Sequence, residues 1–239
     1  MAQLPVQLSL SDRYALVGKT RSGKTVSTLI LVSLLLPFTW PPKSRPKLPW
    51  QVWWVDTKGD PRDYKRLLQW GFRSASKAPQ KWPRVVFRVK PIDLTDELSV
   101  PRQVQAIAWA ASRRGNVLLV IDEYVSCVLS SRSMGAGLKN VSQRGGGLRV
   151  GLVGGTQEPV GVPRQLLSQA THEFLFNVTF RRDIDWCNDE CEVYGNGPPD
   201  KHGFYYRWLD GDKSVSRWLY FPDITEFRSH FDVLTEASA

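Results

Sequence analysis

Gly18-Lys19-Thr20-Arg21-Ser22-Gly23-Lys24-Thr25 is a full match to the pattern GxxxxGK[ST]. Each part of it has a mechanical job. The glycines let the backbone curl so that the N–H groups along Lys19, Thr20, Arg21 and Ser22 turn inward toward a triphosphate. Lys24 reaches the β- and γ-phosphates, and the Thr25 hydroxyl is placed to ligate the accompanying Mg²⁺. The flanks agree with this reading. Tyr14-Ala15-Leu16-Val17 suits a buried strand, and Val26 to Leu36 is long enough for a buried helix stopped by Pro37. Strand, loop and helix form the setting the pattern needs, because the helix N-terminus adds its positive dipole end to the anion site. ATP with Mg²⁺ is the expected ligand.

Composition narrows the partners. The chain has 239 residues and a formal net charge of +9, enough for one α/β domain with modest additions and a balance that favours a polyanion. Cys127, Cys187 and Cys191 form an odd set without CxxC pairs, so a disulfide framework is not expected and a reducing compartment fits. Cys187 and Cys191 with His202 make a poor metal set, lacking a second cysteine pair. Met1 to Leu10 lacks the basic and apolar segments of a signal peptide, and the Leu29–Leu36 run is too short to span a bilayer. A soluble protein, not an integral membrane protein, is expected.

Outward from the loop, apolar runs alternate with helical stretches. A Pro- and base-rich insert runs from Pro37 to Pro49. Gln51–Asp56 reads as a strand ending in the polar cluster Asp56-Thr57-Lys58-Gly59-Asp60, and Pro61–Trp70 as an amphipathic helix. Val85–Val89 is a third strand, Pro101–Arg113 a helix, and Val117–Ile121 a continuous apolar run of the doubly covered kind. Val150–Gly154 and Phe174–Val178 close the series. Such alternation implies an α/β fold with a mostly parallel sheet flanked by helices. Gly203–Leu209 and Ser214–Phe221 flank Asp210-Gly211-Asp212 and read as a C-terminal antiparallel hairpin. A single domain over residues 1–239 is expected, with a core of about 11–185 and the hairpin and tail over about 186–239.

Asp122-Glu123 follows Val117–Ile121 directly. A carboxylate at the end of a buried strand beside the phosphate loop is placed to hold Mg²⁺, which assigns Asp122. Glu123 is placed to orient or deprotonate an attacking water, and both residues also suit the start of a helix near Tyr124. One strand further, Gln157 arrives at the same sheet edge, placed to meet the γ-phosphate or the water.

With these residues in view the chain resembles the FtsK/HerA superfamily of ring-forming DNA-pumping ATPases. The resemblance is carried by Gly18–Thr25 and Asp122-Glu123 (the Walker A and Walker B motifs), Val55–Asp60, Gly155-Thr156-Gln157-Glu158-Pro159, and Val162 to Ala170, and covers roughly Tyr14 to Asp185. It implies a P-loop NTPase of the RecA/ASCE-like kind. Glu158 departs from the family's pattern, which has arginine there. The chain's size, without the barrel and accessory domains of larger members, is most similar to the genome-packaging ATPases of tailless, membrane-containing icosahedral double-stranded DNA viruses.

The resemblance implies ATP hydrolysis in a homo-oligomeric ring, a hexamer, around double-stranded DNA, in the host cytoplasm or on the virion, docked to capsid or membrane vertex proteins. It also implies a cation donated by the neighbouring subunit, for which Arg144 is the first candidate and Arg181 and Arg182 the alternatives. Pore-loop contacts to DNA fall to Arg132 and Lys139 in Ser130–Lys139; Lys77–Arg84 and Lys43–Lys47 are further basic candidates. Two other classes share the phosphate loop: a nucleotide or small-molecule kinase, and a nucleotide-gated DNA-binding or assembly protein.

Overall fold

Gln51–Asp56 and Val117–Ile121 are buried at every position, and the two-residue period of a strand divides each run between two cores. Val52, Trp54, Leu118 and Val120 face one core; Trp53, Val55, Val117, Leu119 and Ile121 face the other. Trp53 and Trp54 are therefore packing residues, meeting Phe87 and Phe72 edge-on at 5.4 and 6.2 Å. The chain is described here from a computed structural model covering residues 8–35, 50–76, 82–91, 95–130, 132–208 and 217–229. The Pro37–Pro49 insert, Lys77–Lys81 and the Asp210–Asp212 turn lie outside them.

The strands β1 (Arg13–Val17), β2 (Gln51–Asp56), β3 (Arg73–Ser74), β4 (Arg84–Arg88), β5 (Val117–Ile121), β6 (Val150–Thr156), β7 (His172–Phe176), β8 (Phe204–Trp208) and β9 (Leu219–Phe221) form one nine-stranded sheet, ordered β3-β4-β2-β5-β6-β1-β7-β8-β9. Strands β1 to β7 run parallel, β8 adds antiparallel to β7, and β9 adds antiparallel to β8. The mostly parallel sheet is thus as expected, and the C-terminal hairpin extends it. Helices α1 (Lys24–Leu35) and α2 (Pro61–Gln69) cover one face; α3 (Ser99–Arg114), α4 (Ala136–Leu148), α5 (Arg164–Ser168) and α6 (Arg181–Glu190) cover the other. Asp60 starts α2 by accepting from the Arg62 N–H at 2.7 Å, with Pro61 at the first helical position.

Two local expectations change, and one strand is new. Strand β3, which the sequence did not suggest, is only two residues long, below what an apolar pattern reveals. The helix expected near Tyr124 is a single 3₁₀ turn, Val125–Cys127. The Ser130–Lys139 stretch is a loop only in its first half, since Ala136–Leu148 is helical despite Gly145-Gly146-Gly147. Gln105 on α3 explains that start. Its amide nitrogen donates to the Met134 carbonyl at 2.7 Å and its oxygen accepts from the Leu138 N–H at 3.0 Å, satisfying a donor in the first turn of α4.

Candidate active site

The order β5-β6-β1-β7 brings the ends of four parallel strands to one edge, where ligands gather in open α/β sheets. The phosphate loop springs from β1 between two neighbours: Gly18 N–H donates to the Thr156 carbonyl at 3.0 Å and Lys19 N–H to the Asn177 carbonyl at 2.8 Å. A side chain at Gly18 would put its Cβ 2.5 Å from the Phe176 Cβ, so the strand can leave the sheet there only as glycine. Arg21 (φ 63°) and Gly23 (φ 98°) take left-handed conformations that curl the loop over the α1 N-terminus.

Lys24 is buried at 6 % exposure, and its ammonium donates to the Gly18 carbonyl and to that of Lys19 at 2.8 Å. Burial, aided by the charge on Lys58, pushes its pKa down to about 7 against the pull of Glu123 and Asp122. A cation so poorly stabilised by its own chain is suited to an anionic ligand, which would restore its charge. Thr25 follows in the first turn of α1, half-buried.

Asp122 and Glu123 are held by the backbone that follows them. Tyr124 N–H donates to the Gly155 carbonyl at 2.7 Å, and the fully buried Tyr124 ring lies where Gly154 has no side chain; a Cβ there would fall 1.7 Å from the ring's Cζ. Burial raises the Asp122 pKa to about 6, with Lys58 opposing. Its Oδ1 accepts from the Thr57 hydroxyl at 3.2 Å. The Glu123 Oε1 accepts from the Gln157 N–H at 3.2 Å, while Oε2 is buried without a hydrogen-bond partner among the described residues. The Gln157 side-chain oxygen in turn accepts from the Thr20 hydroxyl of the loop. Gln157 therefore touches the phosphate loop with its side chain and the acidic pair with its backbone.

The residues suit Mg²⁺: the Thr25 hydroxyl and the Asp122 carboxylate are hard oxygen donors, and Glu123 keeps a buried oxygen that makes no hydrogen bond among the described residues. Sequence reasoning placed Lys58 in a signature but gave it no role. The structure puts its ammonium 3.1 Å from the Asp122 carbonyl, 3.6 Å from Asp122 Oδ2 and 4.0 Å from Glu123 Oε2. His202, weighed above with the cysteines, stands beside the loop, its Nδ1 3.6 Å from where a Cβ on Gly23 would be. Cys187 and Cys191 are buried.

The remaining candidates lie apart from this cluster. Arg144 is exposed on α4, which leads into β6 at the opposite edge of the sheet. Arg181 and Arg182 open α6 at the same edge as the loop. Arg181 pairs with Asp185 at 3.0 Å, and Arg182 with Glu158 at 2.8 Å, so the glutamate that breaks the family pattern is met by an arginine from the next helix. Arg132 and Lys139 are exposed, Lys139 within α4.

The strand, the turned loop with its buried lysine and the acidic pair at the end of β5, one strand removed across β6, define a P-loop NTPase fold. Solved structures with this architecture include the genome packaging NTPase B204 from Sulfolobus turreted icosahedral virus 2. Its complex with ATP-gammaS has a TM-score of 0.64 at 15% identity, with 89% of this chain and 98% of that one covered. Its complex with sulfate has a TM-score of 0.63 at 14% identity, covering 87% and 96%. The pCW3 conjugation coupling protein TcpA, a monomer form with ATPgS, has a TM-score of 0.51 at 14% identity, covering 93% of this chain and 67% of that one. The fold shared with these neighbours is the P-loop NTPase fold that the FtsK/HerA resemblance implies. No protein-family model and no curated protein matches the sequence. Among the described residues no helix is long and apolar enough to cross a membrane.

Proposed function

We propose that this chain is an ATP-hydrolysing motor that moves double-stranded DNA, working as a hexameric ring to pack a viral genome into a preformed capsid. The observation that carries the reading is Gln157, bonded at once to Thr20 of the phosphate loop and to Glu123 of the acidic pair. One residue thus links the place where phosphate binds to the place where water is activated. Loss of the γ-phosphate would be felt along β6 through that link.

In the hydrolysis step a water oxygen attacks the γ-phosphorus, the Glu123 carboxylate takes the water's proton, and the bond to the β-phosphate oxygen breaks, giving ADP and phosphate. Lys24 balances charge on the β- and γ-phosphates. Mg²⁺, held by Thr25 and Asp122, would supply electrophilic activation of the phosphoryl group. Arg144 is the cation we assign to the neighbouring subunit's site, with Arg181 and Arg182 as alternatives. The structural neighbours, a genome packaging NTPase and a conjugation coupling protein, support DNA as the cargo. So does the net charge of +9, with Arg132 and Lys139 exposed for phosphate contact. We place the motor in the host cytoplasm or on the virion, docked at a capsid or membrane vertex.

The test is steady-state ATPase activity with and without double-stranded DNA, in wild type and Glu123→Gln, on protein whose oligomeric state is measured. We expect DNA to stimulate turnover, and the substitution to cut kcat by a factor on the order of 100 or more while ATP binding persists. Turnover indifferent to DNA in assembled protein, or phosphoryl transfer to a small acceptor, would overturn the reading.

A further inference from the structure

Strands β2 and β5 are parallel neighbours with Val55 opposite Ile121, so the residues just beyond each strand come face to face. This sets Thr57 and Lys58 against Asp122 and Glu123. The turn carrying Lys58 is braced on its own account. The Asp56 carboxylate accepts from the Gly59 N–H at 2.8 Å, and Gly59 sits at φ 66°. Arg88 lies 3.5 Å from Asp56, 3.3 Å from the Gly59 carbonyl, and over the Tyr64 ring at 4.3 Å.

The Lys58 ammonium is anchored to a backbone oxygen, the Asp122 carbonyl, and only then faces the two carboxylates. Its place is fixed by the main chain, leaving its charge to act on whichever carboxylate moves. Those side chains are only 5 % and 9 % exposed, and two adjacent buried carboxylates repel each other unless a cation lies between them. Glu123 is held through one oxygen by Gln157 and faces Lys58 with the other.

We infer that Lys58 is a positioning residue for the hydrolytic step: its charge, 4.0 Å from the Glu123 oxygen that Gln157 does not bind, keeps that carboxylate aimed at the attacking water. This rests on the hydrolysis reading above. It goes beyond that reading in giving a purpose to the lysine after β2, which makes no hydrogen bond to the phosphate loop among the described residues and reaches Lys24 only through its charge.

The experiment compares Lys58→Ala, Lys58→Gln and Lys58→Arg with wild type, measuring kcat, KM, the Kd of ATPγS and thermal stability. A misaimed general base costs rate and leaves binding intact, so Lys58→Ala and Lys58→Gln should lose about 100-fold in kcat with Kd within about threefold of wild type. Lys58→Arg, which keeps the charge, should recover at least a tenth of the wild-type kcat. In a Glu123→Gln background, Lys58→Ala should cost no further rate, because the group it aims is gone. The inference is overturned if Lys58→Ala turns over like wild type. It is equally overturned if all three variants lose nucleotide affinity and thermal stability together, the mark of a strand-to-strand brace, or if arginine restores nothing. A wild-type protein that binds ATPγS and never hydrolyses ATP would instead defeat the underlying reading.

Discussion

Two glycine-rich stretches adjoin each other in this chain and do opposite things. In β6, Gly151, Gly154 and Gly155 are pressed on: an added Cβ would fall 2.0 Å from the Leu10 carbonyl oxygen, 1.7 Å from the Tyr124 ring and 2.9 Å from the Asp122 carbonyl oxygen. At the end of α4, Gly145 is pressed in the same way, 2.4 Å from the Val150 carbonyl oxygen, but Gly146 and Gly147 meet nothing within 4 Å. Gly154 and Gly155 serve the site, while Gly151 makes room for the Leu10 backbone. The first two let Tyr124 and the backbone of Asp122 lie flat on the strand that delivers Gln157. The outer α4 glycines serve no contact within the described chain, and they weaken the helix that carries Lys139 and Arg144.

That contrast can be broken by putting alanine at each position. Gly154→Ala should do most damage, about 3 kcal/mol or more of stability, because Tyr124 must vacate its place; turnover should fall with it. A urea melt that leaves Gly154→Ala within about 1 kcal/mol of wild type would show that the ring has somewhere else to go. Gly145→Ala should cost less, about 1–3 kcal/mol, since the start of β6 can shift slightly to admit a methyl group. Its ATPase activity should survive at temperatures where it remains folded. Gly146→Ala and Gly147→Ala should each gain a few tenths to about 1 kcal/mol, with basal turnover unchanged. If either gained stability and lost DNA-stimulated turnover, the bare helix surface would have a use the isolated chain does not reveal.

The same two stretches explain how far the sequence could be read. Gly18–Thr25 and Val117–Glu123 were legible because their chemistry and their periodicity are local, and the parallel sheet followed from the alternation around them. Helix α4 was not, because three glycines lower helix propensity in its last turn, and its start is capped by Gln105, 33 residues before Leu138. Lys58 was visible as part of a signature, but its role depends on β2 lying beside β5, a pairing across 64 residues. Val150–Gly154 was legible as a strand, but the need for glycine at 154 comes from the Tyr124 ring, 30 residues earlier in the chain. What escaped was in each case a contact between elements far apart in sequence.

The sheet's outer strands carry one more consequence. Strand β3 has two residues and β9 three, each paired on its inner side. The five-residue strand β7, which would otherwise present the chain's last parallel ladder to solvent, is covered by β8. Backbone edges this short give a second copy little to extend, a familiar defence against strand-to-strand aggregation. Many copies can therefore gather at high local concentration without zipping edge to edge, and recognition between them is left to side chains and loops.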